Sequence, residues 1–170
     1  MIPSIRLWPQ NSPYNLNQHK ALYLFNFAKY TEWPAGTFTD ENAPFVLGIL
    51  GKDPFQSNLD IIKGKTIKGR KLLIKYCNSI QDIAGCHLLF ICSSETNRLS
   101  QITQAAGPGV LTISETDGFL DHEGMINLIT EQKTPGTQAV AFEINQSAAK
   151  KAGLKLDTQL LKLARRTKNS

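Results

Sequence analysis

FVLGILG (Phe45–Gly51), HLLFIC (His87–Cys92) and VLTIS (Val110–Ser114) are apolar on consecutive rather than alternate residues. A strand of this kind has both faces covered, because successive side chains point to opposite sides of a sheet. Helix-compatible stretches lie between the three runs, which predicts an α/β fold, a mainly parallel sheet sandwiched by helices. In such sheets ligands and chemistry gather at the carboxyl ends of the strands. Those ends read GKDPF (Gly51–Phe55), SSETN (Ser93–Asn97) and ETDGF (Glu115–Phe119), and none carries a recognisable catalytic or nucleotide-binding set. The residues point to a binding protein rather than an enzyme.

Outward from these strands, NQHKALYLFNFAKYT (Asn17–Thr31) has no internal Gly or Pro and is stopped by Trp33-Pro34, which predicts a helix. Leu24, Phe27, Ala28 and Thr31 form one stripe on it, and Tyr23, Phe25 and Tyr30 widen the apolar surface, so more than one side should be covered, by the sheet and by a neighbour or second subunit. Residues 1–16, with three prolines and no period, read as an irregular arm. Asp53-Pro54 caps a short helix to about Ile62, and Lys71–Cys77 is a strand. Ser79–Ala84 allows one helical turn, and Glu95–Ala106 is a helix closed by Gly107-Pro108. Met125–Thr130 and Gln138–Asn145 flank a turn at Pro135-Gly136; alternation of Val140, Phe142 and Ile144 with Ala141 and Glu143 marks the second as a half-exposed antiparallel edge. Asn145 and Asp157 cap two final helices, the second with Leu156 and Leu161 as a staple. With no repeat or linker, residues 17–170 read as a single domain.

A chain of 170 residues is long enough to bury about 70% of its unfolded surface. A content of 41% hydrophobic and 19% charged residues excludes disorder, and no apolar stretch approaches the roughly 18 residues a bilayer crossing needs. MIPSIRLWPQNSP, at the start, has no apolar segment of a secretory signal, which taken alone reads as cytoplasmic. The net charge of +5 owes much to Lys150, Lys151, Lys155, Lys162, Arg165, Arg166 and Lys168. No aromatic residues interleave with these, so they read as a solvated helix face and not as a nucleic-acid platform.

Among chemistry-bearing residues, Gly64-Lys65-Thr66 imitates the end of a phosphate-binding loop, but Leu59 stands where the first glycine is required. His19, His87 and His122 lie apart from one another and from Cys at metal-ligand spacing. His122, with Glu115, Asp117, Asp121 and Glu123, forms the densest polar cluster, open to a metal or acid–base site or to plain solvation. Ser93, Ser94 and Ser114 sit at strand ends without a nucleophile elbow, and Cys92 continues a buried strand as an inert thiol. Cys77 closes one predicted strand and Cys86 opens the next, with eight residues between them. In an oxidising compartment the two can bridge, contributing about 2.5–3 kcal/mol in the loop-entropy account; in the cytosol they stay reduced.

Several segments together resemble the YfiR family of small bacterial periplasmic proteins. They are LFNFAKYTEWP (Leu24–Pro34), FVLGILGKDPF (Phe45–Phe55), IKGRKL (Ile67–Leu72), CHLLFI (Cys86–Ile91), VLTISETDGF (Val110–Phe119), EGMINL (Glu123–Leu128) and FEINQSAAKKAGLKLDTQLLKLA (Phe142–Ala164). The resemblance implies a signal-bearing precursor, a periplasmic location, and a sheet sandwiched by helices, often as a homodimer. It implies that the protein represses an inner-membrane diguanylate cyclase by stoichiometric binding to its periplasmic part, lowering cyclic di-GMP and restraining biofilm formation. No catalytic residue, metal or cofactor comes with it, and neither nucleic acid nor membrane insertion is implied. Some family members carry a second cysteine pair around an FxxxGGM segment; here that segment is FLDHEGM (Phe119–Met125), with Glu123 at the first glycine position and no cysteine.

The loop Glu115–His122 is the expected partner surface, with Glu115, Asp117 and His122 as polar contacts and Phe119 as either an exposed apolar anchor or a core residue. Two other readings compete. A deep apolar pocket at the strand ends would favour a periplasmic small-solute sensor, and a tight cluster of His122 with two carboxylates would favour a hydrolase or metal-dependent enzyme.

Overall fold

A computed structural model describes residues 14–169. In chain order these form α1 (Leu16–Lys29), β1 (Thr31–Glu32), β2 (Phe45–Leu50), β3 (Thr66–Ile67), β4 (Arg70–Cys77), β5 (Leu88–Ile91), α2 (Leu99–Ala106), β6 (Leu111–Ser114), β7 (Ile126–Thr134), β8 (Thr137–Asn145), α3 (Gln146–Lys151), β9 (Lys155–Leu156), α4 (Thr158–Leu163) and β10 (Arg166–Lys168). Short 3-10 segments at Gln56–Ile61, Ile80–Ile83, Ser93–Arg98 and Phe119–His122 fill the connections. The arm expected over residues 1–16 lies, but for its last three residues, outside the described residues.

Eight strands form one sheet in the order β10-β8-β7-β6-β5-β2-β4-β3. From β4 through β2, β5 and β6 to β7 every neighbour is parallel, while β3–β4 and β7–β8 are antiparallel. The expected fold is therefore the observed one. The consecutive apolar runs have the predicted cause: all four residues of β5 and of β6 are buried. One face carries α1, with Leu24 and Phe27 fully buried against Phe45, Phe90 and Phe142 in the larger core. The other face carries α2, whose Leu99 and Ile102 meet Leu50, Leu89, Ile91 and Phe119. Each such apolar side chain contributes about 1.5–3 kcal/mol by leaving water.

Local signals hold α1 where the sequence put it, with a boundary shift. Asn15 caps it in a reciprocal box with Gln18, each side chain bonding the other's backbone N–H. Asp53 accepts from the backbone of Phe55 and Gln56, so it starts a turn, but the turn becomes 3-10 instead of α. The helix expected over Glu95–Ala106 is likewise split, 3-10 to Arg98 and α from Leu99, at Arg98, whose φ −128 and ψ 19 are not helical. The strand ending at Asn145 is not half exposed. Ala141 is buried with Val140, Phe142 and Ile144, and β10 pairs alongside Glu143–Asn145. β10, and the two-stranded sheet of β1 with β9, were not predicted; strands of two or three residues have too little periodicity to read.

Candidate functional site

The carboxyl ends of β2 and β5 are tied to each other. The Lys52 N–H donates to Ser94 Oγ, and Gly51 sits at φ +104 with no room for a Cβ beside Ser94 and Glu95. These contacts pack the turn after β2 against the turn after β5.

At the end of β6 the chain enters the loop singled out from sequence. Ser114 Oγ donates to the Ile91 carbonyl, and the Asn127 side chain clamps Thr116 through both its N–H and its carbonyl at 3.0 Å. Glu115 is turned inward, where it meets Lys20 of α1 at 2.6 Å. Asp117 is exposed, and Gly118 takes a left-handed conformation, φ +79, that starts the 3-10 turn Phe119–His122.

Phe119 is not an exposed anchor. It is fully buried, in the core beneath α2, and a Cβ placed on Gly124 would lie 2.4 Å from its ring. Phe119 and Leu120 both turn inward from the 3-10 turn, while the residues around them, Gly118, Asp121 and His122, face water. His122 is exposed and anchored to α2. Its Nδ1 lies 2.7 Å from Ser100 Oγ, and its carbonyl accepts from Thr103 Oγ1 at 2.7 Å. Asp121 and Glu123 face Lys168 and Lys151 at 3.5 and 3.9 Å instead of His122. Among the described residues no group of three His, Cys, Asp or Glu is placed to hold a metal. Of the four expected contact residues, Asp117 and His122 are thus at the surface, Glu115 is half-buried in an ion pair and Phe119 is core.

The other histidine near a strand end has a structural task. His87 Nδ1 accepts the Val46 N–H at the start of β2, and burial lowers its pKa, with the Arg70 charge adding to the effect. Cys77, Cys86 and Cys92 are buried free thiols. Cys77 and Cys86 lie within hydrogen-bonding reach of each other, so the sheet brings together the pair that the sequence singled out. Burial and the neighbouring Cys77 push the Cys86 thiol up to about 11, and burial raises Cys92 to about 12, which leaves little thiolate at neutral pH.

A hollow of about 270 Å³ opens beside the loop, lined by Glu115, Asp117, Asn127 and Glu143 among others. A more apolar cavity of about 370 Å³ lies at the opposite, amino-terminal ends of the strands. Trp33 and Phe38 flank Phe45 there, and the Arg70 guanidinium stacks 3.9 Å over Phe38. Sequence reading missed it because its walls come from four separated segments. Among the described residues no helix is long and apolar enough to cross a membrane.

A family model described as YfiR/HmsC-like matches residues 17–165. None of the curated proteins matches the sequence. Among solved structures, a conserved domain protein from Vibrio cholerae is similar with a TM-score of 0.52 at 14% identity, over 72% of this chain and 54% of that one. At that identity the likeness concerns the fold, and the chain spans about half the length of that relative.

Proposed function

Since the chain belongs to the YfiR/HmsC-like family, we propose that it is a periplasmic regulatory protein that binds the periplasmic part of an inner-membrane diguanylate cyclase and holds it inactive. The family is associated with regulation of diguanylate cyclase signalling and is regulatory, not catalytic. The match over residues 17–165 is the observation that carries this reading. The working unit in it is one domain over residues 17–170, acting as a homodimer and without turnover. It lowers cyclic di-GMP, and so biofilm formation, by binding one conformation of the cyclase more tightly than the other. To move the cyclase from almost wholly active to almost wholly inactive, that preference must reach about 10⁴-fold. Asp117 and His122 are proposed as contact residues at the end of β6. In the oxidising periplasm Cys77 and Cys86 are proposed to bridge.

The test is calorimetry between the purified chain and the periplasmic domain of a diguanylate cyclase encoded beside it, paired with cyclic di-GMP measured in cells with and without the exported chain. Saturable binding and a lower nucleotide level support the reading; failure of both removes it. The cavity of Trp33, Phe38, Phe45 and Arg70 favours a second reading, a periplasmic small-solute sensor feeding a membrane signalling protein. Thermal stabilisation by a planar solute, lost in Phe38→Ala, would support that alternative.

A further inference from the structure

The outer edge of the sheet at β4 is open. β3 covers only Arg70 and Lys71, and beyond them no described strand pairs with β4 on that side. Which groups face outward follows from two bonds. The Leu72 N–H reaches out to the Lys65 carbonyl, whereas the Cys77 carbonyl points inward and accepts from Gly51 on the β2 side. Strand alternation then turns the N–H and C=O of Ile74 and of Tyr76 outward. No hydrogen bond from the described residues meets them. On either side of this edge stands an exposed large apolar side chain. Leu73 lies on the α2 face and Tyr76 on the α1 face, each 51% exposed.

The charge of the edge selects its occupant. Between Ile61 and Gln81 the chain carries Lys63, Lys65, Lys68, Arg70, Lys71 and Lys75 and no carboxylate. These six cations exceed the net charge of +5 of the whole chain. Of these, Lys63 is paired with Asp60 at 2.9 Å, so a second copy pairing here would bring five cations without a carboxylate partner among the described residues against five, and lysines on an exposed edge are a known guard against such self-pairing. An extended segment that alternates acidic and apolar residues meets the opposite balance: its backbone fills the ladder, its apolar residues cover Ile74 and Tyr76 on the α1 face, and its carboxylates face Lys71 and Lys75 on the α2 face.

We propose that the β4 edge is a strand-addition site for an extended acidic segment of a partner protein. This rests on the reading of the chain as a binding protein and names how the partner is held. The probe is an end-capped ten-residue peptide of alternating Val and Glu, titrated into the full ¹⁵N-labelled chain. The expected result is saturable shifts at Leu72–Cys77, with slowed exchange of the Ile74 and Tyr76 amides and no response to a Val/Lys peptide.

Tyr76→Pro removes an outward N–H without touching the ladder to β2, a position where an edge strand tolerates proline. It also removes the ring that the peptide's apolar residues cover, so it should weaken binding by about tenfold or more. Lys71→Glu with Lys75→Glu, a surface change that leaves the backbone alone, should abolish binding of the Val/Glu peptide and admit the Val/Lys peptide. Shifts confined to another surface, equal binding of both peptides, or dimerisation of the wild-type chain through β4 would each overturn the inference. The cyclase test is independent: if the cyclase domain binds and neither variant weakens it, the edge assignment fails while the regulatory reading stands.

Discussion

Lys20 Nζ lies 2.6 Å from Glu115 Oε2, and this pair ties the first helix to the end of the central strand β6. The two side chains are only 11% and 21% exposed, so each is the other's main compensation for leaving water. Glu115, read from sequence as a contact residue, is thereby committed to the fold. Lys20→Met and Glu115→Gln are each expected to lose about 1–3 kcal/mol of stability in urea unfolding. The double change Lys20→Met with Glu115→Leu should cost less than the two single losses added together. Additive losses would show that the pair is not coupled.

The proposed Cys77–Cys86 bridge makes a redox prediction. Two thiols become one disulfide by passing two electrons to a disulfide-type oxidant and releasing two protons. Because burial raises both thiols, the exchange belongs to folding, before the pair is covered. Exported protein should show one free thiol after unfolding, at Cys92, and reduction should cost about 2.5–3 kcal/mol. Three free thiols in protein recovered from the periplasm would refute the bridge.

Arg165 grips Glu131 through both of its oxygens at 2.7 and 2.8 Å, with Lys133 nearby, and holds its carboxyl down to about 2. A depressed carboxylate stabilises the fold above its unfolded pKa, roughly 4.3, and the stabilisation fades as pH falls from there through the folded value. The pair is near the surface, so the effect is small and weakened by salt. Wild type should therefore exceed Glu131→Gln in urea midpoint at neutral pH, and the gap should shrink in acid. A gap that instead widens on acidification contradicts the assignment.

Glu123 occupies a left-handed conformation, φ +63, at the position where the FxxxGGM pattern has glycine. Holding a side chain there costs about 1–2 kcal/mol, part of which glycine returns to the flexibility of the unfolded chain. Its exposed contact with Lys151 at 3.9 Å offsets little of this. Glu123→Gly should raise the melting temperature, whereas Glu123→Ala should not.

Much of this was legible one segment at a time. The buried strands, the helix caps at Asn145 and Asp157 and the aromatic helix α1 depend on neighbours in sequence, and they lie where local patterning put them. Phe119 shows the limit: the loop composition leaves an exposed anchor and a core ring equally open, and only its packing beneath Gly124 decides between them. The β4 edge shows it again. Leu73 and Tyr76 lie in an apolar run that reads as any interior strand does, and only the shortness of β3 leaves them uncovered.

The sequence by itself determined the order of the longer strands and helices and the parallel character of the sheet, because consecutive apolar residues tolerate no other surroundings than two covered faces. It also singled out Cys77 and Cys86. Tertiary structure alone decided which polar residues are spent inside, as Glu115 is on Lys20, and which stay at the surface, as Asp117 and His122 do. Exposure is a property of what packs alongside, and residues far apart in the chain supply it.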